Sequence, residues 1–206
     1  MLSSCAWQVG SAQAQKNRES VKPISASVAV NIKASISPLA AAGDISQSHF
    51  GALALAYIKK NCDGCGITDV SRELVFLNES VDAIQQKHVR FQQVKNDVPV
   101  WGGQLIVHFD KHDEPTRIKG SFLSGLEQVE THSIVTTDEA EATAVAVKGE
   151  GWHAVGSVLY VYMHESSPKL VYHVTLTHGM ERWFVFVDAH DGAVLHQVTV
   201  MPSASP

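Results

Sequence analysis

A chain of 206 residues, 45% hydrophobic and 18% charged, has the size and composition of one domain or two small ones with a true core, not of a disordered protein. Its net charge of −5 and the lack of any Lys/Arg cluster argue against nucleic acid as a partner. No apolar run approaches the roughly 18–20 residues of a membrane-spanning helix.

Residues 1–42 form a lead-in rich in Ser, Ala and Val, with an edge strand expected near Val28 to Ile32. Ser11-Ala12-Gln13-Ala14 has the small-residue form that precedes a signal-peptidase cut, yet Met1 to Gly10 is short and polar for an export core. Leu2-Ser3-Ser4-Cys5 has the form of a lipobox, which would make Cys5 a lipid-anchored first residue if the true start lay upstream. A truncated or misassigned start is the leading reading.

The first folded unit is expected over residues 43–125. Asp44 and Gln47 have capping-box spacing, with Ser46 as the other candidate cap. Phe50, Leu53, Ala54, Tyr57 and Ile58 then make one helical face, ended by Asn61 and Gly64. Cys62 and Cys65 form a CxxC at the end of that helix. A redox pair would sit at a helix start, and zinc would need two more ligands, so a small loop disulfide is the leading reading and free thiols the alternative.

Glu73 to Leu77 reads as a short strand, and His88 to Asp110 as a hairpin of two alternating runs joined at Lys95-Asn96-Asp97. Gly102-Gly103 fits a bulge or a close backbone approach, and Pro99 belongs at a strand start or an edge. Arg117 to Leu123 supplies one more strand, beyond the turn-rich loop from Asp110 to Pro115.

This hairpin resembles the signature of the fungalysin/thermolysin propeptide module, close to HxRFQQxxxGVPVxGGxxxVH. His88, Arg90, Phe91, Gln92, Gln93, Val98, Pro99, Val100, Gly102, Gly103, Val107 and His108 match it. Asp97 stands where that form has Gly, and Trp101 where it has Phe or Tyr.

After a connector from Gly125 to His132, a second unit is expected over residues 133–200. Thr136 and Glu139 make a capping box, Ala140, Thr143, Ala144 and Val147 an amphipathic face, and Gly149 a stop. Strands follow at Val158 to Met163, Leu170 to Thr177, Trp183 to Val187 and Ala193 to Val200. This helix and meander, closing on WFVFVDAHDGAVL, resembles the PepSY-type half of the same propeptides. The fold class is therefore α+β, two small units, each a helix packed on a mostly antiparallel sheet.

Several features invite chemistry. Asp110-Lys111-His112-Asp113 and Asp188-Ala189-His190-Asp191 share a D-x-H-D form; turn-forming Asp is favoured over a metal site. His164-Glu165 opens an HExxH pattern, but Pro168 stands where the second His must be and would break the helix. Of the eleven histidines, His49, His153, His164, His173, His178 and His196 are scattered and expected on solvated strand faces, with a pH sensor as the alternative. Trp183 and Tyr172 are expected in the second core. Trp101, beside the double glycine, is a candidate partner contact, with core packing as the alternative.

The resemblance implies no catalytic residue, metal site or cofactor in this chain, which lacks a peptidase HExxH. Zinc is expected only in a partner, the catalytic domain of a thermolysin-like metallopeptidase, bound in cis or in trans. It implies an intramolecular chaperone and inhibitor, exported to the periplasm or medium. The end of the chain, His196, Gln197, Val198, Thr199, Val200 and Met201 with the flexible tail 201–206, would lie in the substrate cleft. A stand-alone exported inhibitory module and the remnant of an interrupted precursor are the alternatives.

Overall fold

The computed structural model describes residues 4–5, 37–62 and 65–200. The expectations for residues 1–3 and 6–36, for Gly64, and for Met201 and the tail behind it lie outside the described residues.

Ser48, not Asp44 or Ser46, caps the first long helix α1 (His49–Asn61); its Oγ accepts the Gly51 N–H and donates to Glu79. Asp44 instead caps the short 3-10 turn Ile45–Gln47 just before it. Gly51 lets α1 sit on that turn, since a Cβ there would lie 2.9 Å from Ser48 Oγ and 3.0 Å from Ile45. The helix consequently buries Gly51, Ala54 and Ile58, with Phe50, Leu55 and Tyr57 packed alongside, while Leu53 turns out to solvent. Cys62 caps its end and is disulfide-bonded to Cys65, both buried in the same core.

One more turn of helix, α2 (Val70–Glu73), leads into β2 (Leu74–Val81), longer than the sequence suggested. β3 (Lys87–Lys95), β4 (Val98–Phe109) and β5 (Pro115–Leu123) complete an antiparallel sheet in the order β2-β3-β4-β5, with the two-residue β1 (Ser4–Cys5) beyond β5. Asn96 and Asp97 both have positive φ, 48° and 64°, as a two-residue type I′ hairpin turn requires. Val89, Phe91, Leu105, Val107, Phe109, Ile118 and Phe122 fill the core beneath α1.

The second half starts with α3 (Thr137–Lys148), whose capping box pairs Thr136 with Glu139 through both backbone N–H groups; Gly149, at φ 91°, ends it. Ala140 and Ala144 let it lie close on the meander β6 (His153–His164), β7 (Ser167–His178), β8 (Glu181–Asp188) and β9 (Val194–Val200). Val145, rather than the expected Val147, packs on this core. Val147 is 47% exposed, and Lys148 covers the Trp183 ring. Trp183 and Tyr172 do pack there, the Tyr172 hydroxyl donating to the Val135 carbonyl at 3.0 Å.

The two sheets are not separate. β4 pairs in parallel with β6 at Val100 and Val161, so one strand belongs to both halves. Leu126 from the connector closes over this junction, with Val129 alongside, and Val100 and Val161 are fully buried.

Candidate functional site

The signature residues gather at this junction. β3 and β4 pair as a plain hairpin near the turn, Lys95 with Val98 and Val94 with Pro99, but Gln92 already faces Gln104. β4 thus advances five residues where β3 advances two, and Val100 to Gly103 bulge out of the ladder. Such a bulge strands backbone carbonyls in a buried place, which is costly unless they find donors.

Gln92 supplies the donors. Its side chain is buried, and Nε2 donates to the carbonyls of Val100 at 2.7 Å, Gly103 at 2.9 Å and Gln93 at 3.0 Å. Its Oε1 accepts from Gln104 Nε2, and Gln104 in turn accepts from Arg90. Gln93 points to the other side and clamps the end of β5, donating to the Leu123 carbonyl at 2.7 Å and accepting its N–H at 2.9 Å. Gly103 is required by this clamp, since a Cβ would lie 2.6 Å from Gln93 Oε1. Gly102 has φ 75° with nothing near its missing Cβ, so its role is conformational. Pro99 is the second residue of β4, opposite Val94 next to the hairpin turn.

His88 and His108 face each other across β3 and β4. Asp82 accepts from His88 Nε2 at 3.1 Å, which leaves His88 Nδ1 as the acceptor for His108 Nδ1–H at 2.8 Å. His108 Nε2 is then a bare buried acceptor without a partner. Burial first, then the charges of Arg117, of His88 when it is protonated, and of Lys119 and Arg90, push the His108 pKa down to about 4.

Trp101 leaves the bulge toward the second sheet. Its ring stacks on His173 at 4.7 Å and meets Tyr160 and Phe186 edge-on at 5.0 and 5.1 Å. It is half-buried, and it plugs the first half onto the sheet face opposite α3. His173, expected at a solvated face, is buried in this aromatic box; burial alone pushes its pKa down to about 4, and its Nε2 has no partner. Burial likewise pushes the Tyr160 phenol up to about 12. His49, His153, His178 and His196 are exposed.

Of the proposed cleft-facing segment, His196 packs toward Phe186 and so shares the Trp101 face, Val198 is 39% exposed, and Thr199 is exposed. Gln197 and Val200 are half-buried on β9, which among the described residues is an edge strand paired with β8. The D-x-H-D echo is turn chemistry. Asp110 Oδ1 accepts the amides of His112 and Glu114, Asp188 Oδ1 accepts that of His190, and Asp188 Oδ2 binds Lys169. Among the described residues no group of three His, Cys, Asp or Glu converges to hold a metal. His164-Glu165-Ser166 forms the β6–β7 turn, with Glu165 and Ser166 at positive φ.

Residues 72–122 match the family model described as Fungalysin/Thermolysin Propeptide Motif, and residues 134–197 match that described as Peptidase propeptide and YPEB domain. Together they span more than half of the chain. The chain carries two propeptide-type domains in tandem, a fungalysin/thermolysin propeptide motif and a peptidase propeptide and YPEB domain. It is 30% identical over 128 residues to a bacillolysin of Brevibacillus brevis, covering 56% of this chain and 24% of that one. The bacillolysin of Bacillus subtilis strain 168 is 28% identical over 143 residues (63% and 27%), and the thermolysin of Alicyclobacillus acidocaldarius 26% over 146 (65% and 27%). The chain spans about a quarter of the length of these curated relatives. Among solved structures, the Bacillus megaterium YpeB C-terminal domain aligns with a TM-score of 0.38 and 10% identity over 78% of this chain and 66% of that chain.

The roles of Gln92 and Gln93 escaped the sequence reading, although both stood in the signature. A buried Gln beside a double glycine is the signal that could have found them. Arg117 and Lys119 were also missed; they occupy the polar positions of β5, alternating with Ile118 and Phe122.

Proposed function

We propose that this propeptide acts as a folding template and inhibitor for the catalytic domain of a thermolysin-like zinc metallopeptidase, held in cis or supplied in trans. The observation that carries this reading is the tandem of the two propeptide models on one chain. The shared strand β4 supports it physically: a single continuous sheet offers a preformed surface, so docking need not order two loose halves. Among the described residues β9 is an edge strand paired with β8, so its other edge offers an extended backbone, the form in which a peptidase cleft takes a chain. Zinc and the hydrolytic machinery belong to the partner. Among the described residues no helix is long and apolar enough to cross a membrane, and the propeptide role places the chain outside the cytoplasm.

The test is an inhibition titration of mature thermolysin-like peptidases, with a serine peptidase as control. Tight inhibition confined to the metallopeptidases is expected, weakened when residues 196–206 are replaced by a Gly/Ser sequence. A folded chain that inhibits none of the panel would overturn the reading.

A further inference from the structure

The first sheet has a second face. α1 and the aromatic core cover one side, and the residues that alternate with the core project from the other. In register across β3, β4 and β5, that side sets Arg90 beside Ile106 and Ile106 beside Lys119, with His108 beside Arg117. Three cations thus crowd one patch of a chain whose net charge is −5. The ion pairs among the described residues join Lys87 to Asp113 and Lys169 to Asp188, with His88 pairing to Asp82 and His190 to Asp188 when protonated; none engages Arg90, Arg117 or Lys119. Among the described residues Arg90 donates to the neutral Gln104. Lys119 is exposed and Arg117 half-exposed. The combined field of these cations is felt at His108, whose protonation it opposes.

We propose that this cationic sheet face is a docking surface for a carboxylate-rich protein surface, that of the peptidase catalytic domain, and thereby sets the orientation in which the propeptide binds. The proposal rests on the function proposed above. Charge complementarity selects the partner. A local acidic patch meets three uncompensated cations, while a uniformly anionic membrane or nucleic acid would also meet the net negative remainder of the chain. Ile106 at the centre and Arg at the flanks suit a protein interface, where Arg is enriched and the middle is apolar.

The experiment compares the full chain with Arg117→Glu/Lys119→Glu and Arg117→Gln/Lys119→Gln, each first shown to keep the wild-type melting curve. Binding is measured to a deca-glutamate peptide, to vesicles of phosphatidylglycerol and phosphatidylcholine, and to the inhibited peptidase, at about 0.05 and 0.5 M salt. The wild type is expected to bind peptide and peptidase in a salt-sensitive way, the Gln pair more weakly, and the Glu pair about tenfold more weakly or worse. Unchanged affinity and salt dependence in the Glu pair would overturn the proposal, as would binding to the vesicles but not to the peptide. A wild type that inhibits no peptidase, yet binds deca-glutamate through Arg117 and Lys119, would uphold the acidic-surface recognition and sink the propeptide function instead. If the Glu pair refolds poorly, the Gln pair carries the same comparison.

Discussion

Replacing Gln92 with Met tests whether the bulge is held by its side chain. The two residues have similar shape and volume, so the substitution removes polarity without opening a large cavity. Gln92 is 2% exposed, and its two amide hydrogens serve three carbonyls at 2.7, 2.9 and 3.0 Å. Methionine leaves at least two of them, those of Val100 and Gly103, buried without a donor. At about 1–3 kcal/mol for each unsatisfied group, the expected loss for two groups is about 2–6 kcal/mol. Against a total of about 5–15 kcal/mol for a typical domain, that is a large fraction. Urea unfolding followed by circular dichroism reads it as a lower midpoint at unchanged slope. A loss below about 1 kcal/mol would refute the reasoning, because the bulge carbonyls would then have satisfaction from elsewhere.

Asp97 occupies the second position of the hairpin turn at φ 64°, where its family signature carries Gly. Asp97→Gly relieves a left-handed Asp and is expected to raise stability by about 0.5–1 kcal/mol in the same urea assay; a loss would mean that the Asp side chain matters more than the backbone. His173 should make stability fall in acid. Its folded pKa of about 4 lies below the ordinary 6.5, so the unfolded chain binds the extra proton between those values. Stability is therefore full above about pH 6.5 and is lost as pH drops toward 4, by about 3 kcal/mol from this residue, with His108 acting in the same direction. In His173→Leu the fall over this window should be visibly smaller, and an equal fall would assign the acid sensitivity elsewhere.

Much of the fold was legible because it is written in near neighbours. The Thr136–Glu139 box, the stop at Gly149, the Asn96-Asp97 turn and the alternating strands all depend on residues a few positions apart. The helix faces were slightly misplaced, with Leu53 and Val147 outward, because periodicity gives the angle of a face but not how far the sheet beneath it extends. The size of the bulge was not legible at all. Continued without it, the hairpin would set His88 opposite Leu105; with it, His88 meets His108, and the cations of β5 line up beside them.

By itself, then, the sequence determined the α+β class, the order of helix and strands in each half, and a signature strong enough to name the family. Only the tertiary structure decided what the signature residues do: Gln92 feeds the carbonyls of a bulge, Gln93 clamps β5, and Trp101 locks β4 to a box around His173. Local propensities act along the chain, whereas these contacts join residues far apart in it. Their register is set by which buried polar groups find partners and which apolar faces find cover.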